Sequence, residues 1–359
     1  MTARAEPTLA RGDRMPSRGE PAPAPGDRTP ARLPERVRIY EVGPRDGLQN
    51  EARRLSTDDK VRYVELLVAA GLAEIEATSF VSPRAVPQLA DAEQLLPRLR
   101  ERLADAAAGG TRDARVGGTA GAALRFPVLV PNVRGLARAE AAGADAIAVF
   151  TAASDEFTRH NIGMTVDESL RAFAPVLARA RALGWWTRGY VSTAFGCPYT
   201  GRVAPQAVVE VALRLAELGV DEVCLGDTIG VGVPGQVHEL AGRLSEAGLP
   251  PERVACHFHD TRGTALANVL AGLEDGVTCF DAATGGTGGC PYAPGAAGNL
   301  ATEDLVYLLD GLGIRHGVQL EGVLRAARFV SARLGRPLGS KVGQAGGWDP
   351  ATGASRYRT

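Results

Sequence analysis

From residue 36 onward the chain alternates between two hydrophobic rhythms. A short apolar or β-branched run leads into a polar or glycine-containing turn. A longer Ala/Leu-rich stretch follows, in which apolar positions recur with helical period. The short runs are Val37–Val42, Ala73–Ala77, Phe126–Val130, Ala146–Phe150, Thr187–Ser192, Glu222–Leu225, Val254–Phe258 and Cys279–Ala282. Their apolar density predicts strands buried on both faces. The longer stretches predict helices near 57–71, 84–105, 134–142, 166–183, 205–218, 235–247, 263–275 and 300–312. Gly71, Gly143, Gly219 and Gly276 stand where such helices should end, at the left-handed position that follows a helix C-terminus.

Eight strand–helix repeats predict an α/β fold, a (β/α)8 TIM barrel, with "EGVLRAARFVSARLG" as an additional C-terminal helix. The competing open, doubly wound sheet would place a GxGxxG turn after the first strand, and "EVGPRDG" is not one. The barrel domain is expected over residues 36–345. Ahead of it, residues 1–35 are rich in Pro and Arg and carry no periodicity, which predicts a disordered N-terminal extension. The apolar stretch of a signal peptide is missing. Glu6, Asp13, Glu20 and Asp27 interrupt the acid-poor pattern of an organellar transit peptide, although the arginines keep targeting as the alternative. Residues 106–124, rich in Gly and Ala, read as a loop insertion before the third strand, and 346–359 as a polar tail.

Composition narrows the partners. With 359 residues, 45% hydrophobic and a formal net charge of −1, the chain has material for a large core and no general attraction for nucleic acid or an anionic membrane. No apolar run reaches the roughly 18 residues of a membrane span. An anionic substrate must therefore be met by local charge. The 5 cysteines are scattered without CxxC spacing, which argues against a disulfide framework or a structural zinc site and for a reduced, cytoplasmic protein.

In a TIM barrel the chemistry sits at the C-terminal ends of the strands. There the sharpest signal is "HFHD": alternate residues of a strand face one side, so His257 and His259 point together into the barrel mouth. They suit a metal ion, the alternative being two hydrogen-bonded histidines. Asp46, at the end of the first strand, would add an anionic ligand, and Asn299 an amide oxygen. Asn299 also precedes a predicted helix, where it would serve equally as an N-cap. Such a mixed N/O set suits Mg²⁺ or Mn²⁺ better than zinc. Arg45, beside Asp46, is either a surface ion pair or a group placed to stabilise negative charge on a substrate oxygen. Glu76 would fix Arg45 or the ligands by hydrogen bonding. Cys290 lies among Gly285, Gly286, Gly288, Gly289, Gly295 and Gly298, a composition suited to a hinged lid. Its thiol would transfer a proton or attack as a nucleophile, or be a passive loop residue.

Several of these segments resemble the hydroxymethylglutaryl-CoA lyase family of metal-dependent barrels: "VRIYEVGPRDGLQNE", "IEATSFVSPRAVPQLAD", "GYVSTAFGCPYTG", "LGDTIGVGVPG", "CHFHDTRGTALAN" and "GGTGGCPYAPGAAGNLATEDLVYLL". The resemblance runs from about Val37 to Gln344. The first motif and HxH are common to the wider superfamily, which includes acyltransferases, whereas the cysteine loop is similar to the lyases alone. The resemblance implies one Mg²⁺ or Mn²⁺ per subunit held by Asp46, His257, His259 and Asn299, an enolate-stabilising Arg45 and a catalytic Cys290, with Asp46 or His257 as candidate base. It implies cleavage of 3-hydroxy-3-methylglutaryl-CoA to acetyl-CoA and acetoacetate, a step of leucine degradation, in a homodimer. Gln49, Tyr190 and Cys224 are the expected substrate contacts. Two departures, Ala52 where the family commonly has Lys and Cys224 where it usually has Ser, leave a related branched thioester or an acetyl-CoA/2-oxo acid acyltransferase as alternatives.

Overall fold

The structure, a computed structural model, describes residues 33–108, 124–289 and 298–346. Nine short strands form one sheet: β1 (Arg38–Glu41), β2 (Glu74–Ile75), β3 (Thr78–Ser79), β4 (Val128–Leu129), β5 (Ala146–Ala152), β6 (Trp186–Ser192), β7 (Glu222–Asp227), β8 (Val254–Phe258) and β9 (Cys279–Ala282). Every ladder is parallel, in the order β2-β1-β9-β8-β7-β6-β5-β4-β3. The two ends of that order, β2 and β3, are halves of a single barrel strand. Glu76 N donates to Glu41 O of β1 at 2.8 Å, and the next amide, Ala77 N, donates to Pro127 O on the other side at 3.1 Å. The sheet therefore closes on itself, as the eight repeats predict.

The helices of the repeats are α1 (Thr57–Ala69), α2 (Ala92–Ala108), α3 (Val133–Ala141), α5 (Val166–Ala182), α6 (Pro205–Glu217), α7 (Pro234–Glu246), α8 (Ala265–Glu274) and α9 (Thr302–Gly311). A short extra helix, α4 (Asp155–Ile162), follows β5, while α10 (Leu320–Leu334) and α11 (Lys341–Ala345) extend the C-terminus. The four helix-ending glycines all have left-handed backbone, with φ of +98° at Gly71, +80° at Gly143, +87° at Gly219 and +85° at Gly276. The main core lies between sheet and helices, and a smaller cluster of Tyr40, Tyr190, Cys224, Ala255 and Cys279 fills the barrel interior.

The structure departs from the sequence reading most clearly at the second helix, the expected insertion and one additional helix. The second helix begins at Ala92 rather than near 84, because Pro87 biases Val86 away from helical backbone and the chain makes a 3₁₀ turn at Pro87–Leu89 first. It then runs through Ala108, so the expected 106–124 insertion starts inside a helix, and its residues 109–123 lie outside the described residues. So do residues 1–32 and 347–359 of the expected extension and tail. The helix α4 escaped the hydrophobic period because it is little more than two turns long, although its ends are marked. Ser154 accepts from Phe157 N as N-cap, Asp155 and Glu156 occupy the first turn, and Gly163 closes it at φ +71°.

Candidate active site

After β1 the chain makes a wide π-type turn over Gly43–Gly47, in which the amides of Arg45, Asp46 and Gly47 all converge on Val42 O at 3.2, 2.8 and 3.1 Å. Both glycines are there for close approach, not for unusual backbone angles. A Cβ at Gly43 would sit 2.3 Å from the Tyr63 hydroxyl, and one at Gly47 would sit 2.3 Å from Thr287 Oγ1. This packing presses Asp46 against the end of β8, where His257 and His259 emerge. One ligand atom from each of Asp46, His257 and His259 lies within 4.8 Å of the others.

The surrounding hydrogen bonds fit a cation. Asp46 accepts from Arg45 Nη1 at 2.7 Å on Oδ1 and from Asn299 Nδ2 at 2.8 Å on Oδ2. Asn299 Nδ2 also donates to Thr287 O at 2.9 Å, which turns its Oδ1 away from both partners. That Oδ1 and the Nδ1 of His259 are buried without a hydrogen-bond partner among the described residues, an expensive state that an electrophile would relieve. A carboxylate, two imidazoles and an amide oxygen are a donor set for a hard or borderline divalent ion. The N-cap reading of Asn299 is corrected: α9 begins at Thr302 with Ala301 as its cap, so the amide is free for the site.

Charge in the barrel interior sets the ligands' protonation. His257 Nδ1 lies 3.1 Å from Asp281 Oδ2, and Asp281 Oδ1 accepts from Nη2 of the fully buried Arg188 at 2.7 Å. The carboxylate thus claims Nδ1 and leaves Nε2 of His257 for an incoming group. Burial lowers the pKa of His257, but its bond to Asp281 and the charges of Asp281 and Asp46 outweigh this and raise it. Burial and the neighbouring His257 push His259 down to about 3, so it stays neutral. Asp46 sits at about 2, because Arg45, His257 and the Asn299 bond outweigh the cost of burial.

Arg45 is held from behind. Its Nε pairs with Glu76, whose other oxygen accepts from Tyr40 at 2.9 Å and Tyr190 at 2.7 Å. The guanidinium also lies 5.9 Å from the centre of the Tyr190 ring. This is the orienting role expected of Glu76, and it leaves the Nη groups directed at Asp46 and the cleft. The surface-ion-pair reading of Arg45 does not hold, since the residue is 7% exposed.

Arg45, Asp46, Gln49, Tyr190, His257 and His259 line one cavity of about 360 Å³, so most of the expected site residues converge. Cys224 does not, and its assignment as a substrate contact is corrected. It lies in mid-strand, fully buried in the barrel interior, with Sγ 3.7 Å from Asp281 Oδ2 beneath the histidines. Cys290 lies outside the described residues. At the start of its loop, Gly285, Gly286 and Gly288 have φ of +70°, +65° and +94°, left-handed backbone that glycine adopts without steric cost.

The sequence model of the HMGL-like family matches residues 36–330. The chain belongs to the HMGL-like family. It is 46% identical over 313 residues to the mitochondrial hydroxymethylglutaryl-CoA lyase of Bos taurus, covering 87% of this chain and 90% of that protein. The crystal structure of hydroxymethylglutaryl-CoA lyase from Pseudomonas aeruginosa superposes with a TM-score of 0.79 at 43% identity, over 87% of this chain and 98% of the other. An HMG-CoA lyase from Acinetobacter baumannii, in complex with coenzyme A and 3-methylmalate, gives a TM-score of 0.76 at 35% identity, over 87% and 95% of the two chains.

The cavity of this HMGL-like chain and the structure around it also include residues the sequence reading passed over. Phe157, Asn161 and Ile162 of α4, with Phe150 and Val86, line the same cavity as the histidines. The Ser154 cap and Gly163 stop were the available signals for α4. Asp281 and Arg188 are charged residues inside apolar strands: Asp281 on β9 stands opposite His257, and Arg188 on β6, two strands from β8, reaches Asp281 through the barrel interior. Glu41 closes the base of the site: it is fully buried, accepts from Gly43 N, Thr284 N and the Thr302 hydroxyl, and burial raises its pKa to about 7.

Proposed function

We propose that this HMGL-like chain is a divalent-metal-dependent hydroxymethylglutaryl-CoA lyase that cleaves 3-hydroxy-3-methylglutaryl-CoA to acetyl-CoA and acetoacetate. The observation that carries the reading is the placement of Arg45 at one cavity with the Asp46–His257–His259 cluster and the unpartnered oxygen of Asn299 beside it. Asp46, His257 through Nε2, His259 and Asn299 through Oδ1 would hold one Mg²⁺ or Mn²⁺ per subunit. When bound, the ion supplies Lewis-acid polarisation that makes the tertiary hydroxyl of the substrate acidic.

The chain's own residues do the rest. Loss of the hydroxyl proton forms the new carbonyl of acetoacetate as the adjacent C–C bond breaks, and the bonding pair moves onto the thioester as an enolate. Arg45 Nη groups, preorganised by Glu76, Tyr40 and Tyr190, stabilise that developing oxyanion. The apolar wall of Phe150, Phe157 and Ile162 keeps water from the enolate. Cys290, matching the loop cysteine of the lyases, is assigned the proton delivered to its carbon. Asp46 and His257 are the candidates for the base, and Gln49 contacts the acyl group.

Relatives include mitochondrial and cytoplasmic forms. We assign this chain to the cytoplasm and to a homodimer, with no nucleic-acid or membrane partner. Incubation with hydroxymethylglutaryl-CoA and Mg²⁺ tests the reaction: acetoacetate and acetyl-CoA should form at equal rates. Consumption of acetyl-CoA with release of free coenzyme A from a 2-oxo acid mixture would select an acyltransferase instead.

A further inference from the structure

We infer that the segment after α10, residues 336–342, is a strap that positions the metal-ligand segments; this rests on the metal-site reading above. The strap lies beyond residue 330, where the family match ends. It touches three separate pieces of chain: two carry a residue of the cluster, Asp46 or His259, and the third carries Thr287, whose carbonyl orients Asn299.

The first contact is Arg336, whose guanidinium pairs with Glu51, with Nε 3.1 Å from Oε2. Glu51 N donates to Leu48 O at 2.9 Å, directly after the turn that presents Asp46. The second is the backbone of Gly339 and Ser340, whose amides both donate to Gly285 O at 2.9 and 3.2 Å. Leu338 packs so closely on Gly285 that a Cβ there would lie 2.2 Å from its Cδ1. Gly285 stands two residues before Thr287, whose carbonyl orients the Asn299 amide. The third is Lys341, which pairs with Asp260. Asp260 follows His259 directly, and its amide donates to Gly298 O at 2.7 Å, one residue before Asn299.

Asp304 anchors the strap itself. This buried carboxylate accepts from Ser340 Oγ at 2.9 Å, Lys341 N at 3.1 Å and Val342 N at 2.8 Å. The strap is therefore pinned at its C-terminal end, beside the Lys341 contact to the His259 and Asn299 segments, and reaches back through Gly339 and Arg336 to the segment of Asp46. Ligands on loops hold a metal only as well as the loops are held, and supports outside the ligand shell commonly govern affinity. Arg336 and Lys341 are positioning residues on this argument, since neither touches the cluster.

The test is Mn²⁺ binding to the full-length protein by electron paramagnetic resonance, with thermal unfolding in chelator and in saturating Mn²⁺. For Arg336→Met/Lys341→Met, Mn²⁺ affinity should fall by about tenfold, the low end for such supports. The charge-conserving Arg336→Lys/Lys341→Arg pair should retain more Mn²⁺ affinity than the methionine variant, with part lost because Lys makes one contact to Glu51 where Arg336 makes two. Unchanged Mn²⁺ affinity in the methionine variant would overturn the strap. So would equal loss of thermal stability with and without Mn²⁺, which marks a merely structural contact. A wild-type protein that binds no Mn²⁺ would overturn the metal reading as well, and that outcome is distinguishable from the other two.

Discussion

Asn299 donates its side-chain amide to Asp46 at 2.8 Å, joining two segments 253 residues apart. The contact fixes the amide so that its buried Oδ1 has no hydrogen-bond partner among the described residues. Replacing Asn299 by Ala should weaken Mn²⁺ binding by roughly 10–100-fold while leaving the fold intact, as loss of a site-shaping group does. The check is a metal titration beside a circular dichroism spectrum. An unchanged titration would remove Asn299 from the site.

Arg45 has a different role, so its loss should have a different signature. Arg45→Met should lower kcat by about 10²–10³, the cost of losing one preorganised oxyanion donor. Mn²⁺ affinity should change far less, because Asp46 retains Asn299 as a donor. Steady-state kinetics together with metal titration separate the two effects. Near-normal turnover would refute the enolate role.

Beneath the glycine-rich loop, Glu303 receives Gly285 N on both carboxylate oxygens, at 3.0 and 2.8 Å, and burial pushes its pKa up to about 8. Glu41 beside it is raised to about 7 for the same reason. A carboxyl whose folded-state pKa exceeds its unfolded value holds a proton in the folded state that the unfolded chain has released. Stability therefore falls as pH rises from about 4.5 through these folded-state values. Denaturant unfolding between pH 5 and 9 should show that decline, and Glu303→Gln should flatten its upper part. A variant with the wild-type slope would show that Glu303 is already ionised in the folded protein.

The barrel was legible because its strands are apolar runs separated by helical repeats with glycine stops, and local period alone carries that information. HxH was legible for the same reason: alternation places both imidazoles on one face whatever the tertiary details. Partners brought together by closure of the barrel were not. Asp281 meets His257 only because β8 and β9 pair in the register that sets His257 opposite Asp281. Cys224, expected as a substrate contact from the resemblance, lies below the cavity because β7 continues to Asp227, two residues past the predicted Leu225. Asn299 carried two local readings, and only the observed start of α9 at Thr302 removed one of them.

The central claim is that turnover depends on one divalent ion at Asp46, His257, His259 and Asn299. The most direct measurement is to strip the protein with chelator, add Mn²⁺ stepwise, and record bound metal and hydroxymethylglutaryl-CoA cleavage in the same samples. The account predicts no cleavage in the stripped protein and a rate that rises in proportion to occupancy, reaching its maximum at one ion per chain. Full cleavage in stripped protein, or a maximum unrelated to occupancy, would contradict it.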